Sequence, residues 1–338
     1  MKSNKRILFV LDWLAEEDWI YLARLRQRFE TVTLFGWETP RGHDNNFEKL
    51  ARLWKSYLVQ TIKVFKLRRR YDILLAWQPV IGLLFAFWAR LLGSRTSIVI
   101  HNLIVPQRHG LNGFLRHLFI RFCLKKVELV TVSSAAETSA YRKRFANNRT
   151  RFHFIPFGID VPHVSSMVDG DYLFSGGRSN RDYRTLFQAV DGLPVRVRVI
   201  AQKHNVANLD IPANVDITYS DFNTFDENMR NAQFVVVPLD RPGESSGQLV
   251  LLRAMAFGKA VIVTQNDGLA DYVEHEKNAI LVKPHESGEL RQAILRLTAD
   301  VETRRRIGAQ ARHDVLEKFT TARSGALMAE AIESFVIT

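Results

Sequence analysis

The feature that most constrains this chain is a rhythm that runs through it twice, in which short apolar runs of strand type alternate with segments of helical period. In the first half the runs RILFVLD, TVTLFGW, YDILLAW, TSIVIHN and VELVTVSS are separated by helical segments at Trp19–Arg28, Asn46–Arg70, the apolar stretch before Arg90 and Gly113–Lys126. Strands that alternate with helices pair in parallel and are covered on both faces. From Tyr172 the rhythm restarts with DYLFSGG, Tyr183–Val190, VRVRVIAQ, VDITYS, a short helix, QFVVVP, Gly247–Phe257, AVIVT and NAILVKP. The stretch Glu286–Phe335 is helical by period and lacks a strand. These observations predict an α/β fold with two Rossmann-like doubly wound domains facing a central cleft, and helices at the C-terminus. The expected division is 1–162, 163–320, and a terminal helix over 321–338 that packs back toward the first domain, with a linker near 157–170 where prolines, glycines and serines gather.

Two segments imitate membrane signals. The apolar run Ile7–Leu11 ends at Asp12, too short for a secretory signal, and Ile73–Ala89 is broken by Gln78-Pro79 into a strand and a helix. The single cysteine, Cys123, rules out an intramolecular disulfide, so the fold needs no oxidising compartment. The formal net charge is +12, and all of the excess lies early: residues 1–162 carry 27 Lys+Arg against 12 Asp+Glu, the remainder 20 against 23. That asymmetry directs the first half toward an anionic partner, either nucleic acid or an acidic membrane surface. Asn46–Arg70 places Phe47, Leu50, Leu53/Trp54, Tyr57/Leu58 and Ile62 near one face amid Lys49, Arg52, Lys55, Lys63, Lys66 and Arg68–Arg70. With Gly113–Lys126, it forms the kind of cationic, aromatic, amphipathic helix that suits lipid headgroups.

Strand ends carry the candidate chemistry, because ligands of doubly wound sheets bind there. Gly176, Gly177, Arg178 and Arg181 lie between a strand and a helix, where glycines admit a ligand to the backbone and a helix N-terminus favours an anion. Glu244, Ser245, Ser246, Gly247 and Gln248 follow QFVVVP and open the next helix. They form a second anion-binding turn, or equally a serine cap, with Glu244 placed to accept from sugar hydroxyls. Lys203 stands beyond VRVRVIAQ, within reach of a diphosphate or simply solvated. In the first half Asp12 and His101 end the first strand and TSIVIHN. They serve either as a base for an acceptor hydroxyl and an imidazole contact to the transferring group or, for Asp12, as the cap of a helix beginning near Trp13, with Glu16, Glu17 and Asp18 in its first turn. No histidine pairing or Asp-x-Asp after a strand has metal-ligand spacing, so no metal and no cofactor is expected.

The stretch SSGQLVLLRAMAFGKAVIVT resembles the signature of group-1 nucleotide-sugar glycosyltransferases of the GT-B class, which build bacterial surface polysaccharides. IPFGID, SGGRSNRDYRTLFQA and VTVSS resemble further motifs of that family in its order. The resemblance implies transfer of a hexosyl group from a UDP- or GDP-sugar, with retention favoured over inversion, to a lipid-linked saccharide acceptor. It also implies a cytoplasmic enzyme, peripheral on the inner face of the cell membrane. It supports His101 directly, because a His commonly follows this strand in the family. Arg181 stands where the family has a phosphate-binding lysine. Arg253 stands where it has the glutamate that holds the ribose, and an arginine cannot accept hydrogen bonds, so either Glu244 or Gln248 substitutes or the nucleotide sits differently. Outside this reading stand a nucleic-acid-binding protein, a scaffold with a degenerate donor site and a sugar-nucleotide epimerase. The basic half lacks a recognition helix or RNA-stacking motif, so no nucleic-acid partner is expected.

Overall fold

The computed structural model describes residues 2–39, 47–105, 110–146, 149–163, 169–219 and 224–337; Asn46 and residues 164–168 of the expected linker lie outside them. The chain divides into two compact units, Met1–Ile155 with Thr321–Thr338, and Pro156–Thr320.

The first unit runs β1 (Ser3–Val10), α1 (Ile20–Arg28), β2 (Phe29–Phe35), α2 (Phe47–Lys66), β3 (Ile73–Ala76), α3 (Pro79–Leu92), β4 (Ser97–Ile100), α4 (Gly110–Leu124), β5 (Leu129–Val132), α5 (Ala135–Arg144) and β6 (Arg151–Phe154). Its six strands are all parallel, in the order β2-β1-β3-β4-β5-β6. Successive residues of β1 divide between the two faces as a pleated strand requires. Leu8 and Val10 join Leu74, Ile98 and Ile100 in one core with Val64 and Phe65 of α2, and Ile7 and Phe9 join Ile73, Leu75 and Val99 in the other with Leu22 and Leu25 of α1. The apolar stretch after Ile73 is a strand and then a helix. Pro79 opens α3 where no amide hydrogen is needed, and Gly93, at φ 74°, ends it. No helix among the described residues is long and apolar enough to cross a membrane.

The second unit runs β7 (Tyr172–Gly176), α6 (Tyr183–Val190), β8 (Arg196–Ala201), α7 (Lys203–Val206), β9 (Val215–Tyr219), α8 (Phe225–Arg230), β10 (Val235–Val237), α9 (Gln248–Ala256), β11 (Val261–Thr264), β12 (Ile280–Val282), α10 (Ser287–Ala299) and α11 (Val301–Lys318). Its parallel order is β12-β11-β10-β7-β8-β9, the doubly wound order of a dinucleotide-binding fold. The chain then returns to the first unit as α12 (Thr321–Ile332) and a π-helical turn, Glu333–Ile337. Met328, Ala329 and Ile332 of α12 complete the core beside α1, and Arg28 pairs with Glu330 and Glu333.

Three details depart from the sequence expectation. Strand β6 closes the first sheet although RFHF carries too little apolar character to announce itself. The division falls at Ile155/Pro156, because Phe157 donates to the Tyr272 hydroxyl and Ile159 to the Phe319 carbonyl, which ties both into the second unit. Helix α1 begins at Ile20, with Trp19 as its N-cap, so Asp12 caps nothing; Glu17 instead pairs with Arg26 across the turn.

Candidate functional site

Each sheet has one place where the strand order reverses, and crevices for ligands open at the carboxyl ends of the strands there. In the second unit that place is between β7 and β10. Both loops singled out from the sequence leave from it: residues 177–182 follow β7, and residues 238–247 follow β10.

The first loop turns on Gly177, whose φ of 130° is disfavoured for any side chain. A Cβ there would also come within 2.6 Å of the Arg181 guanidinium, so the glycine and the arginine are packed face to face. Arg181 donates from Nε to the Gly176 carbonyl at 3.1 Å and from a terminal nitrogen to the Ser179 carbonyl at 2.7 Å, and burial lowers its pKa. Its charge is spent on stiffening the loop from beneath, while Arg178 stands exposed at the rim, its carbonyl tied to Asn205 Nδ2. Asp182 closes the loop as the cap of α6, accepting from the Thr185 amide and hydroxyl.

The second loop delivers the start of α9. Gly247 caps the helix at φ 88°, and the ladder of the helix begins only with Leu251 donating to the Gly247 carbonyl, so the amides before Leu251 form an anion-favouring end. Ser245 and Ser246 flank it. Asn180, itself at φ 55°, staples the two loops: its Nδ2 donates to Ser246 Oγ at 2.8 Å and to the Arg241 carbonyl at 3.1 Å, and its Oδ1 accepts from the Arg241 amide at 2.9 Å. Asn266, after β11, bonds the Arg241 and Glu244 carbonyls from the other side. Glu244 pairs with Arg241 at 2.8 Å and keeps further lone pairs for a hydroxyl. Gln248 is buried and donates to the Gly268 carbonyl, which makes it a support of the loop. Arg253 forms an ion pair with Asp226 of α8. Lys203 starts α7, 6.0 Å from the Tyr219 ring.

One grouping was not foreseen. His285, after β12, holds Nδ1 3.1 Å from Asp182 Oδ2 and Nε2 3.9 Å from Asp240 Oδ1, near enough for a shared ion. The two ring nitrogens face different carboxylates, but only the Nδ1–Asp182 contact is at hydrogen-bond distance, and Asp182 is also engaged by Thr185.

In the first unit the reversal is between β1 and β3, and Asp12 sits there. Its carboxylate accepts from the Tyr57 hydroxyl of α2 and from Gln78 Nε2, each at 3.3 Å, and Gln78 also reaches Tyr57. Thr39 fixes the Asp12 carbonyl. His101, after β4, is 7% exposed; Nδ1 lies 3.1 Å from Thr131 Oγ1 and the ring 4.2 Å from that of Trp77. Burial among Trp77 and Tyr21 pushes its pKa down to about 3, so it acts as a neutral imidazole and not as a cation.

The candidate residues read from the sequence therefore fall at the carboxyl ends of the strands at or next to the places where the order reverses. The sequence missed Tyr57, Gln78, Asn180, Asn266 and His285, whose partners stand far from them in the chain. Only Asn180 gave a local sign, an asparagine in a glycine-rich turn.

Residues 201–314 match the family described as glycosyl transferases group 1, and residues 17–158 match the glycosyl transferase 4-like domain. No curated protein matches the chain by sequence. Anabaena HepE in complex with UDP-glucose shares the fold at 18% identity and a TM-score of 0.69, over 97% of this chain and 100% of that one. Sucrose-phosphate synthase from Thermosynechococcus elongatus does so at 16% and 0.72, over 98% and 99%. For alpha,alpha-trehalose 6-phosphate synthase from Burkholderia multivorans the figures are 12% and 0.72, over 98% of each chain.

Proposed function

The chain belongs to the group-1 glycosyltransferases of the GT-B class, and on that premise we propose that it transfers a hexosyl group from a UDP- or GDP-sugar to a hydroxyl of a lipid-linked saccharide at an anionic membrane surface, in the building of surface polysaccharide. The donor diphosphate belongs at the β7/β10 reversal. There the α9 amides, the Ser245 and Ser246 hydroxyls and Arg178 hold the charge that develops as the bond between the anomeric carbon and the diphosphate oxygen breaks. Glu244 accepts from the ribose or sugar hydroxyls. The acceptor hydroxyl belongs near Asp12, whose orientation Tyr57 and Gln78 fix. As its oxygen bonds to the anomeric carbon, its proton passes to the departing diphosphate in a retaining reaction. His101 gives the transferring group a neutral polar contact. No step calls for a metal ion, so a chelator leaves the rate unchanged.

The observation that carries the membrane-bound acceptor is a second apolar face on each of two helices. Tyr57, Val64 and Phe65 of α2 are buried in the core, yet Leu50, Trp54, Leu58 and Ile62 stand on the other side at steps of four residues, between 42% and 53% exposed. The amphipathic pattern read from the sequence thus mixes two faces: Tyr57 turns in while Leu58 turns out, and the side chains of Phe47 and Lys49 lie outside the described residues. On α4, Leu111, Phe114, Leu115, Leu118 and Phe119 repeat the pattern above a buried Ile120, Cys123 and Leu124. Exposed apolar patches of this kind mark interaction sites, and the surrounding lysines and arginines match an acidic leaflet.

The test is co-sedimentation with vesicles of neutral and of 30% anionic lipid, beside sugar transfer from labelled UDP- and GDP-sugars to lipid extract. Trp54→Ser with Phe114→Ser is expected to leave the unfolding midpoint in place and to lower vesicle binding and transfer to lipid acceptors at least tenfold. Equal transfer to water-soluble acceptors by both proteins, with no vesicle binding by either, overturns the membrane acceptor.

A further inference from the structure

At the amino ends of the first sheet's strands, the end away from Asp12 and His101, lies a cavity of about 760 Å³ that the transfer reaction does not use. Its walls come from the start of β1, the turn after α2 and the segment between α3 and β4. Four cations line it: Lys5, Arg68, Arg69 and Arg95. Arg68 is committed, because it closes α2 by donating to the Phe65 carbonyl at 3.1 Å and lies over the Phe65 ring. Lys5, Arg69 and Arg95 are exposed, and none is within ion-pair distance of a carboxylate among the described residues. The lining carboxylate, Asp72, loses some solvation on burial, yet hydrogen bonds from the Arg6 amide and guanidinium, with the charges of Arg6 and Lys5, hold its pKa below the usual range. Four cations thus share a cavity with one lining carboxylate, already claimed by Arg6 and Lys5, and the cavity keeps an excess of positive charge.

The other wall is apolar. Ile73, Leu92, Val336 and Ile337 line it, and Leu92 stands out at 62% exposure. Ser94, Thr96 and Ser97 lie between the two walls; Thr96 spends its hydroxyl on the Arg68 carbonyl. A free inorganic anion would use the cations and leave the apolar wall unexplained. An apolar peptide would use that wall and leave three cations facing it.

We propose that this cavity binds the headgroup of an anionic phospholipid, with its phosphate on Lys5, Arg69 and Arg95 and its glycerol and first methylenes against Leu92, Val336 and Ile337. The proposal goes beyond the transfer reaction and rests on the membrane reading above only for where the lipid is met. A phosphate bound by charge-assisted hydrogen bonds and a few methylenes buried beside it give the site selectivity for acidic lipid that the stripes on α2 and α4 lack.

Titration calorimetry with dihexanoyl phosphatidylglycerol, below its micelle concentration, tests the site without vesicles, beside glycerol phosphate and inorganic phosphate. The expected result is saturable binding of the short-chain lipid, at least tenfold weaker binding of both soluble phosphates, and a tenfold or greater loss of lipid affinity in Arg69→Gln with Arg95→Gln at unchanged unfolding temperature. Equal affinity for lipid and glycerol phosphate makes this a soluble-phosphate site and overturns the proposal, as does lipid binding that the double variant retains or that the wild type lacks. Trp54→Ser is expected to bind the short-chain lipid as the wild type does. A protein that binds this lipid but no vesicle supports the cavity and sinks the membrane acceptor, so the two failures are separable.

Discussion

His101 shows how one position can be legible in its place and illegible in its state. Its location after a strand of the first half marked it as facing the chemistry, but nothing local to TSIVIHN says that Trp77 and Tyr21 enclose the ring, because both arrive from other elements. That enclosure has a measurable cost. The unfolded chain takes up a proton below about pH 6.5, whereas the folded imidazole stays neutral down to about 3, so the unfolded state binds more protons in that window. Stability is full above about 6.5 and falls with pH below it, by about 1 kcal/mol per pH unit. Urea unfolding at pH 7.5, 6 and 5 is expected to show that slope in the wild type and a flatter one in His101→Gln. Parallel slopes would mean that the ring titrates normally. Arg181 is the converse, a residue whose charge suggested ligand contact and whose geometry gives it the carbonyls of its own loop.

At the scale of elements, the two loops at the β7/β10 reversal were readable because glycine, serine and asparagine announce a turn before a helix, and the helix start α9 followed from them. The fastening between the loops was not readable, since Asn180 and Ser246 are 66 positions apart. Asn180→Gly is the informative change there, because glycine keeps the left-handed backbone and removes only the amide. Losing the three side-chain hydrogen bonds to Ser246 Oγ, the Arg241 carbonyl and the Arg241 amide, at about 1 kcal/mol each, allows the loops to part, and donor affinity is expected to fall at least tenfold. Isothermal titration with UDP and GDP decides it; unchanged affinity would show that α9 holds the diphosphate without the neighbouring loop. The amphipathic helices carry the same lesson in reverse: sequence period found that α2 is apolar, but one projection could not separate the face that meets the sheet from the face that does not.

For the whole molecule, the doubled alternation of strand and helix was enough to foresee two parallel sheets, and the order of their strands then explains why the candidate residues fall where they do. The discontinuous make-up of the first unit rests on small residues that a hydropathy pattern barely registers. Gly325 of α12 lies so close to α1 that a Cβ would come within 3.0 Å of the Tyr21 carbonyl. Gly325→Val is expected to lift the helix from its seat and lower stability by about 1–3 kcal/mol. Differential scanning calorimetry would register this as an earlier transition, and an unshifted one would mean that α12 contributes little. The same arrangement sets a timetable for synthesis. Strands β1 to β6 leave the ribosome long before α12 does, with all of the second unit made in between, so Ile7, Phe9 and Leu22 spend that interval without the cover that Met328 and Ile332 later supply. Until that helix is translated the nascent first unit exposes apolar surface of the kind that promotes aggregation, so faster elongation is expected to raise its soluble yield.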